Sequence, residues 1–192
     1  MLLATDLDGT FLGGDEQHKQ ILYQFIENTP GVKLVFVTGR GLDSVKTLIE
    51  QKMVPQPQYI ICDVGGTIVD GKSFLPIEPL QSEITVQWPG FDKISPLIQD
   101  LPLEYQPVQQ QNRSSFYCAD ESFVESVKER LAHLNCDVIF SAGKYLDILP
   151  SNVNKGTSLT KLITHLDAKP ESVLVAGDTF NDYSMYAHGY KG

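Results

Sequence analysis

The N-terminal stretch Leu2-Leu3-Ala4-Thr5-Asp6-Leu7-Asp8-Gly9-Thr10 joins an apolar run to two carboxylates and a turn. We expect residues 1–5 to form a short strand that ends at Asp6. Two carboxylates at a strand end would suit a nucleophile and a proton-transfer group, with a hard divalent cation held by the same oxygens. An ordinary turn between two apolar runs is the alternative, and the rest of the sequence must decide between the two.

Strand and helix signals alternate along the first part of the chain. Residues 15–28 have helical spacing, and residues 32–37 form the near-continuous apolar run of a buried parallel strand. The helical face predicted for residues 15–28 consists of Ile21, Leu22, Phe25 and Ile26. A second helix and a strand at 59–62 follow, and a helix and a strand at 173–176 come after Pro150. The alternation predicts an α/β fold with a doubly wound, Rossmann-like parallel sheet, whose site lies beyond the carboxyl ends of the strands.

The middle of the chain has a different pattern. We predict a small hairpin around Ile68-Val69, and then helices and strands in mixed order: helices at 91–101 and 122–134, and strands at 114–118, 138–141 and 145–149. This block is predicted to be an inserted α+β unit. Residues 1–73 and 151–192 would then form a core domain, and residues 74–150 a cap domain.

Composition and charge exclude several classes of function. The 192 residues carry a formal net charge of −9, which argues against a nucleic-acid or membrane-surface binder. No apolar stretch approaches the roughly 20 residues of a membrane helix, and Met1-Leu2-Leu3-Ala4 lacks the basic start of a signal peptide. Cys62, Cys118 and Cys136 match no metal motif, so we expect reduced packing residues. These features predict a cytoplasmic protein, and we expect a monomer.

Four short motifs occur in a fixed order. They are Asp6-x-Asp8-Gly-Thr after the first strand, Thr38-Gly39-Arg40 after the second, Lys155-Gly156 at the start of a helix, and Gly177-Asp178-x-x-Asn181-Asp182 after the last strand. Together they resemble the haloacid dehalogenase (HAD) superfamily of phosphohydrolases over nearly the whole chain. The insertion matches the position of the cap called type C2B. Within that superfamily, segments such as Asp63-Val64-Gly65 and Asn154-Lys155-Gly156 look like those of sucrose-phosphate phosphatases.

The resemblance and the chemistry of the side chains imply the same catalytic roles. Asp6 is the expected nucleophile, which attacks phosphorus to give an aspartyl-phosphate. Asp8 is expected to protonate the leaving oxygen and then to deprotonate water, so its pKa should lie above that of Asp6. Lys155 would pair with Asp6 and with a phosphate oxygen. Thr38, Gly39 and Asn181 are the predicted phosphate-binding residues, with Lys155 as a fourth.

Magnesium is the expected cofactor, because Mg²⁺ favours oxygen ligands. Asp6, the backbone carbonyl of Asp8, and Asp178 would hold the ion, and Asp182 would contact it directly or through another ligand.

The cap is expected to select the substrate. Lys144 and Asp147 lie on the predicted hairpin strand that leads back to the core, and Arg40 follows the phosphate-binding pair. We predict substrate contacts for these three residues; a surface Lys–Asp pair is the alternative for the first two. Gln110, Asn112 and Arg113 are further polar candidates that no spacing distinguishes. Trp88 would either stack on a sugar or pack inside the cap.

The resemblance implies a magnesium-dependent phosphatase that acts on a sugar phosphate, with sucrose 6-phosphate as the leading substrate. Another glycosyl phosphate, such as glucosylglycerol phosphate or mannosylfructose phosphate, is the alternative within the same class. A phosphomutase would return the phosphoryl group to sugar. A catalytically silent domain that binds sugar phosphate or a partner glycosyltransferase is the remaining alternative, although such a domain has no chemical use for Asp6, Asp8, Lys155 and Asp178 together.

Overall fold

The structure is a computed structural model that describes residues 1–108 and 111–192. Its strands are β1 (Leu2–Thr5), β2 (Lys33–Val37), β3 (Tyr59–Cys62), β4 (Thr67–Asp70), β5 (Glu104–Tyr105), β6 (Ser114–Tyr117), β7 (Cys136–Ser141), β8 (Tyr145–Pro150) and β9 (Val173–Ala176). Its helices are α1 (Glu16–Asn28), α2 (Leu42–Glu50), α3 (Leu80–Gln87), α4 (Phe91–Ile98), α5 (Ser122–Leu131), α6 (Lys155–His165) and α7 (Tyr183–Tyr186).

The first sheet has the strand order β4-β3-β2-β1-β9. Strands β9, β1, β2 and β3 are parallel, with Ala4 aligned to Val35 on one side and to Val175 on the other. Successive side chains of these strands enter different clusters: Leu2 and Ala4 pack in one, and Leu3 packs in the other. Both faces of the sheet are therefore covered, which is why these strands are apolar almost throughout. The predicted α/β fold with a parallel sheet is confirmed.

Strand β4 closes one edge of this sheet as an antiparallel partner of β3. The hairpin predicted around Ile68-Val69 is thus present, and β3 is its other strand. The connection between them is Asp63-Val64-Gly65, in which all three residues have positive φ angles of 55°, 57° and 111°. A β-branched residue such as Val64 rarely adopts this conformation. It costs on the order of 1–3 kcal/mol and persists only where the surrounding structure imposes it.

The second sheet is antiparallel, with the order β5-β6-β8-β7. One of its faces packs on α4 and α5 through a separate cluster that includes Ile94, Val127 and Leu146. Trp88 packs against this cluster, which favours the packing role over the sugar-stacking role. The predicted division at residues 73/74 and 150/151 stays a prediction. Leu80 and Ile84 of α3, which follow the first of these boundaries, pack in a cluster of the first sheet.

Helix α1 buries only part of the predicted face. Ile26 is buried as predicted, together with Tyr23, whereas Ile21, Leu22 and Phe25 are exposed. The Tyr23 hydroxyl donates to the Phe11 carbonyl over 2.8 Å, and the two rings stack with their centroids 4.8 Å apart. The contact between Tyr23 and Phe11 therefore turns the Tyr23 side of the helix toward the sheet, and the predicted residues Ile21, Leu22 and Phe25 face outward.

Other element boundaries differ slightly from the predictions. Helix α4 ends at Ile98 and helix α5 at Leu131, each three residues before the predicted end. Helix α3 was not predicted. Across residues 1–108 and 111–192, no helix has both the length and the apolar character needed to cross a membrane.

Candidate active site

The functional side chains gather where the parallel strands of the first sheet end. Asp6 directly follows β1, Thr38 follows β2, Asp63 follows β3 and Asp178 comes two residues after β9. Asp6 lines a cleft of about 470 Å³, together with Asp8, Gly39, Arg40, Lys155 and Asn181. Most of the residues predicted from the four motifs therefore meet at one place. Thr38 and Asp182 lie beneath this surface, fully buried.

Lys155 occupies the floor of the cleft at the first turn of α6. Its Nζ lies 2.7 Å from Asp6 Oδ1 and 2.6 Å from Asp182 Oδ1, and its side chain is only 1% exposed. Asn154 caps the helix, because its side chain accepts from the Thr157 amide while the Thr157 hydroxyl accepts from the Asn154 amide. Gly156 lets α6 approach α7, since a Cβ there would lie 2.1 Å from the Ser184 carbonyl oxygen. The cap and this close packing fix the lysine against the two carboxylates.

The two carboxylates of the first motif have opposite environments. Burial raises the pKa of Asp6 from 3.8 to about 6, although Lys155 acts in the other direction. The Asp8 carboxylate accepts from Arg40 Nε over 2.8 Å and from Nη2 over 2.6 Å, and these hydrogen bonds lower its pKa. The prediction that Asp8 has the higher pKa supposes a bound metal ion that keeps Asp6 ionised; without one, the pKa of Asp6 is raised and that of Asp8 is lowered. The cause of the lowered pKa is Arg40, which was predicted to contact substrate and instead holds the Asp8 carboxylate in its ionised form.

A cluster of carboxylates that could hold a metal ion lies beside Asp6. Asp6, Asp178 and Asp182 each offer an oxygen, and these oxygens lie within 4.8 Å of one another. Thr10 Oγ1 donates to Asp178 Oδ1 over 2.8 Å. Gly9 passes so close that a Cβ on it would meet Asp178 Oδ2 at 2.1 Å. An all-oxygen donor set fits Mg²⁺, so the residues present suit the predicted cofactor. The side chain of Asp8 is outside this cluster; its predicted metal contact runs through the backbone carbonyl.

Both oxygens of the Asp182 carboxylate accept hydrogen bonds. Its Oδ1 accepts from Lys155, and its Oδ2 accepts from the amides of Asp178 and Thr179 over 3.1 Å and 2.9 Å. The Thr179 hydroxyl also donates to Oδ2 and, over 2.7 Å, to Asn181 Oδ1. Asp182 thus organises the loop that carries Asp178 and Asn181, which favours an orienting role over a direct metal contact.

The loop Thr38-Gly39-Arg40 is held by its carbonyl groups. The Thr38 carbonyl accepts from the Val64 amide over 3.1 Å, and the Arg40 carbonyl accepts from the Asp63 amide over 2.9 Å. The Gly39 carbonyl accepts from Arg113 Nη1 over 2.8 Å. Among residues 1–108 and 111–192, we find no acceptor for the Gly39 amide, which therefore keeps a donor for a ligand.

Arg113 joins the two sheets. It precedes β6 of the second sheet, and its guanidinium lies 2.9 Å from Asp63 Oδ1 and 3.4 Å from Asp147 Oδ1. All three side chains are almost fully buried. Burial raises the pKa of Asp63 and of Asp147, and Arg113 opposes both shifts. Asp147 also accepts from Ser115, its direct neighbour across β6 and β8. Asp147, a predicted substrate residue, lines the cleft but already has these two partners.

The second sheet presents its other face to the cleft. Tyr117 of β6 lies directly opposite Tyr145 of β8, and Tyr145 lies opposite Ser141 of β7. All three line the cleft. Lys144 does not line it: this side chain is exposed, with Nζ 4.7 Å from the centre of the Tyr145 ring. The predicted substrate contact of Lys144 therefore has no support in this conformation.

The remaining polar candidates fall outside the cleft lining or outside the described chain. Asn112 is buried and donates to the Gly66 carbonyl over 3.2 Å, so its contact is structural. Gln110 lies outside the described residues.

Each cation of the cleft is already paired with carboxylates. Lys155 contacts Asp6 and Asp182, Arg40 contacts Asp8, and Arg113 contacts Asp63 and Asp147. Among the described residues that line this cleft, no arginine or lysine lacks a carboxylate partner. To bind to one of these cations, an anionic ligand would therefore have to replace a carboxylate that already pairs with it.

Sequence reasoning missed Asp63, Thr10 and the importance of Arg113. Asp63 follows a parallel strand, so the rule that drew attention to Asp6 and Thr38 applies to it as well. Thr10 belongs to the first motif, and its contact with Asp178 spans 168 residues of sequence. No local signal points to Arg113, because its partners are Gly39, Asp63 and Asp147 on other elements.

The fold and the site define a class of protein: a HAD-type phosphatase, with a parallel sheet whose strand ends carry an aspartate pair, a buried lysine and an acidic loop. The sequence profile of the family described as sucrose-6F-phosphate phosphohydrolase matches residues 1–192. The chain belongs to this family of phosphoric monoester hydrolases. The resemblance to HAD phosphatases that the four motifs suggested is thereby confirmed.

Individual relatives agree with this assignment. The sucrose-phosphatase of Synechocystis sp. PCC6803, solved in complex with sucrose and phosphate, has a TM-score of 0.84 and 27% identity, and the match covers 97% of this chain and 79% of that one. The mannosylfructose-phosphate phosphatase of Agrobacterium fabrum is 30% identical over 96% of this chain and 78% of its own length.

A third relative differs in size. The glucosylglycerol-phosphate synthase of Pseudomonas anguilliseptica is 47% identical over 100% of this chain, which spans only 26% of that protein.

Proposed function

We propose that this chain is a magnesium-dependent phosphatase that hydrolyses a glycosyl phosphate through an aspartyl-phosphate on Asp6. The observation that carries the proposal is the pairing of buried Lys155 with Asp6, beside the Asp178 and Asp182 carboxylates. A buried lysine between two carboxylates is costly to assemble as a structural feature alone. It becomes useful when a carboxylate oxygen must face a phosphate whose negative charge needs a partner.

In the first step, an oxygen of Asp6 attacks phosphorus while the bond from phosphorus to the sugar oxygen breaks. Asp8 gives its proton to that leaving oxygen, so the sugar departs as an alcohol. Since Arg40 lowers the pKa of Asp8, the guanidinium must weaken its two hydrogen bonds before Asp8 can carry this proton. A phosphate or sugar oxygen that attracts Arg40 would release Asp8 at the moment when substrate is present.

In the second step, water attacks the phosphorus of the aspartyl-phosphate and the bond to Asp6 breaks. Asp8, now ionised, accepts the proton of that water, and inorganic phosphate is released. Lys155 compensates the charge on Asp6 and the phosphate oxygens throughout. The Gly39 amide and Asn181 would hold the phosphate oxygens together with Lys155, and Thr38, which is fully buried and accepts from the Arg40 amide, would support the loop that carries Gly39.

Mg²⁺ would be held by Asp6, the Asp8 carbonyl and Asp178, with Asp182 orienting the loop. When bound, the ion supplies positive charge that neutralises the phosphate oxygens and orients them for in-line attack.

We infer that the substrate is glucosylglycerol phosphate, and we put sucrose 6-phosphate second because the profile of the sucrose-6F-phosphate phosphohydrolase family matches residues 1–192. The sequence resemblance ranked sucrose 6-phosphate first, but the 47% identity to part of a glucosylglycerol-phosphate synthase exceeds the 26–27% identity to sucrose-phosphatases. The cleft and an adjoining groove of about 400 Å³ share Gly41, Ser44 and Val108, which leaves room for a glycosyl group beyond the phosphate. A synthase that makes the phosphate ester is the matching partner, and we place the reaction in the cytoplasm.

The test is release of inorganic phosphate from glucosylglycerol phosphate, sucrose 6-phosphate and mannosylfructose phosphate, each with and without Mg²⁺. Asp6→Asn is the inactive control. Asp100→Asn is a matched variant, since Asp100 forms an exposed pair with Arg130 away from the cleft. We expect Mg²⁺-dependent release that favours glucosylglycerol phosphate, is lost in Asp6→Asn and persists in Asp100→Asn.

The other outcomes are equally informative. Preference for sucrose 6-phosphate would keep the reaction and change the substrate. Transfer of the phosphoryl group between sugars without net release would indicate a phosphomutase. A folded protein that releases no phosphate from any of the three esters would contradict the proposal and favour a binding role.

A further inference from the structure

The Thr38-Gly39-Arg40 loop depends on the second sheet for one of its three carbonyl contacts. The carbonyls of Thr38 and Arg40 are bound by amides of the neighbouring loop in the first sheet. The Gly39 carbonyl is bound instead by Arg113 Nη1 over 2.8 Å. Since a peptide plane carries its carbonyl and the next amide together, a fixed Gly39 carbonyl also fixes the Arg40 amide, which donates to the Thr38 hydroxyl over 3.1 Å.

Arg113 is held in place by carboxylates from both sheets. Asp63 belongs to the first sheet and lies 2.9 Å from Nη2, whereas Asp147 belongs to the second and lies 3.4 Å from Nη1. Asp63 is in turn fixed by the Thr67 hydroxyl, which donates to Oδ2 over 2.7 Å. The guanidinium is planar and rigid, so these contacts set the direction in which Nη1 points toward Gly39.

The guanidinium of Arg113 lies beside strained backbone, and one of its nitrogens has no partner in the described part of the chain. Asp63, Val64 and Gly65 all have positive φ angles, and the amides of Asp63 and Val64 are the ones that hold the loop. Strained backbone of this kind persists where the surrounding structure imposes it and is concentrated at functional sites. Arg113 Nε is buried and has no hydrogen-bond partner among the described residues. An arginine that served stability alone would have no need of this arrangement.

We propose that Arg113 is a positioning residue that sets the Thr38-Gly39-Arg40 loop for phosphate binding when the second sheet is seated on the first. This inference rests on the proposed function, because it assigns the loop to phosphate. It makes the affinity for phosphate depend on a side chain that the second sheet supplies. Arg113 acts through the Gly39 carbonyl, and its charge is already compensated by Asp63 and Asp147.

The test measures the affinity of the whole protein for inorganic phosphate in the presence of Mg²⁺ by titration calorimetry. The variants are Arg113→Met, Arg113→Lys, Asp147→Asn and Ser114→Ala. A lysine keeps the charge but cannot bond to Gly39, Asp63 and Asp147 together. Ser114 is the matched control, because it is adjacent, fully buried, and its hydroxyl has no partner among the described residues.

We expect Arg113→Met and Arg113→Lys to weaken phosphate binding by about 2- to 30-fold, the range for a residue that acts on a binding site through its neighbours. Asp147→Asn should weaken it by a smaller factor, and Ser114→Ala should leave it unchanged. The value of KM for the sugar phosphate should rise with the same factor in each variant. If Arg113→Met does not fold, Arg113→Lys and Asp147→Asn decide the question.

Two results would overturn the inference. Both Arg113 variants could bind phosphate as tightly as the wild type, which would make the residue structural. Arg113→Lys alone could retain wild-type affinity, which would mean that charge acts directly on phosphate. In either case, hydrolysis by the wild-type protein leaves the proposed function intact. Conversely, a wild type that binds phosphate but hydrolyses no ester contradicts the proposed function and leaves the effect of Arg113 measurable; a wild type that binds no phosphate contradicts both.

Discussion

Lys155 Nζ lies 2.6 Å from Asp182 Oδ1, and both side chains are almost completely buried. This ion pair ties the start of α6 to the loop after β9, and Asp6 completes it from the end of β1. Three separate parts of the chain are therefore joined by a single ammonium group. Such an arrangement gives the lysine a structural and a chemical role that experiments can separate.

Lys155→Met should abolish phosphate release and lower the free energy of unfolding by about 3–5 kcal/mol at pH 7, because two buried carboxylates lose their common counter-charge. The loss should be smaller at pH 5, where Asp6, whose pKa is raised by burial to about 6, can take up a proton. Urea denaturation at both pH values measures it. Lys161→Met is the control, since Lys161 is on the same helix and forms a partly exposed pair with Glu83. Equal stability of Lys155→Met and wild type would contradict the assigned pairing.

Because the pKa of Asp6 is raised, the stability of the Mg²⁺-free protein should depend on pH. That pKa is raised from 3.8 to about 6, so the folded state binds more protons than the unfolded state between these values. The stabilising contribution is complete below about pH 4 and is lost as the pH rises through about 6. Denaturation of the protein in EDTA, compared with Asp6→Asn over the same range, isolates this contribution. An identical pH profile for the two proteins would show that the pKa of Asp6 is not raised.

The Arg40–Asp8 pair should matter for activity and little for stability. Asp8 is largely exposed, and exposed pairs contribute about 0–1 kcal/mol even with good geometry. Arg40→Gln should reduce kcat/KM by about 10-fold or more, a loss of about 1.4 kcal/mol in transition-state stabilisation, because the substrate loses the cation that it would draw away from Asp8; thermal unfolding should change little. Arg130→Gln breaks a pair of the same type with Asp100, far from the cleft, and should retain activity. A large drop in stability without a drop in activity would reverse this assignment.

Thr10 should influence the affinity for Mg²⁺ through Asp178. Its hydroxyl donates to Asp178 Oδ1, and loss of such an outer contact usually weakens metal binding by about 10- to 100-fold. Thr10→Val should therefore need more Mg²⁺ for half-maximal phosphate release, with kcat restored at saturation. Thr164→Val, an exposed threonine of α6, should behave like the wild type. Asp178→Asn should be more severely affected than Thr10→Val.

The sequence predicted the parts of the site that depend on strand ends. Asp6, Thr38 and Asp178 follow β1, β2 and β9, and parallel strands end at one edge of their sheet. Lys155 was predicted from the resemblance to the superfamily, in which a lysine opens a helix after the insertion. The strands themselves were predictable because both faces of the sheet are buried, which makes their sequences apolar without interruption.

Other features depend on contacts that a local pattern cannot contain. The lowered pKa of Asp8 was not predicted, because its cause, Arg40, lies 32 residues away in sequence. The buried face of α1 was predicted only in part because two stripes of that helix are apolar, and the Tyr23 contact with Phe11 selects one of them. The position of Arg113 depends on how two sheets meet, and it has no signature in sequence.

The complete pairing of Arg40, Arg113 and Lys155 with carboxylates has a consequence for how ligands arrive. A cleft whose cations are already compensated, in a protein of net charge −9, projects little attraction toward anions in bulk solvent. Before Mg²⁺ binds, association of a phosphate ester should consequently be slow compared with electrostatically steered encounters, and added salt should not slow it further. Discrimination among anions then occurs after contact, when a ligand must offer each cation a better partner than the carboxylate it leaves.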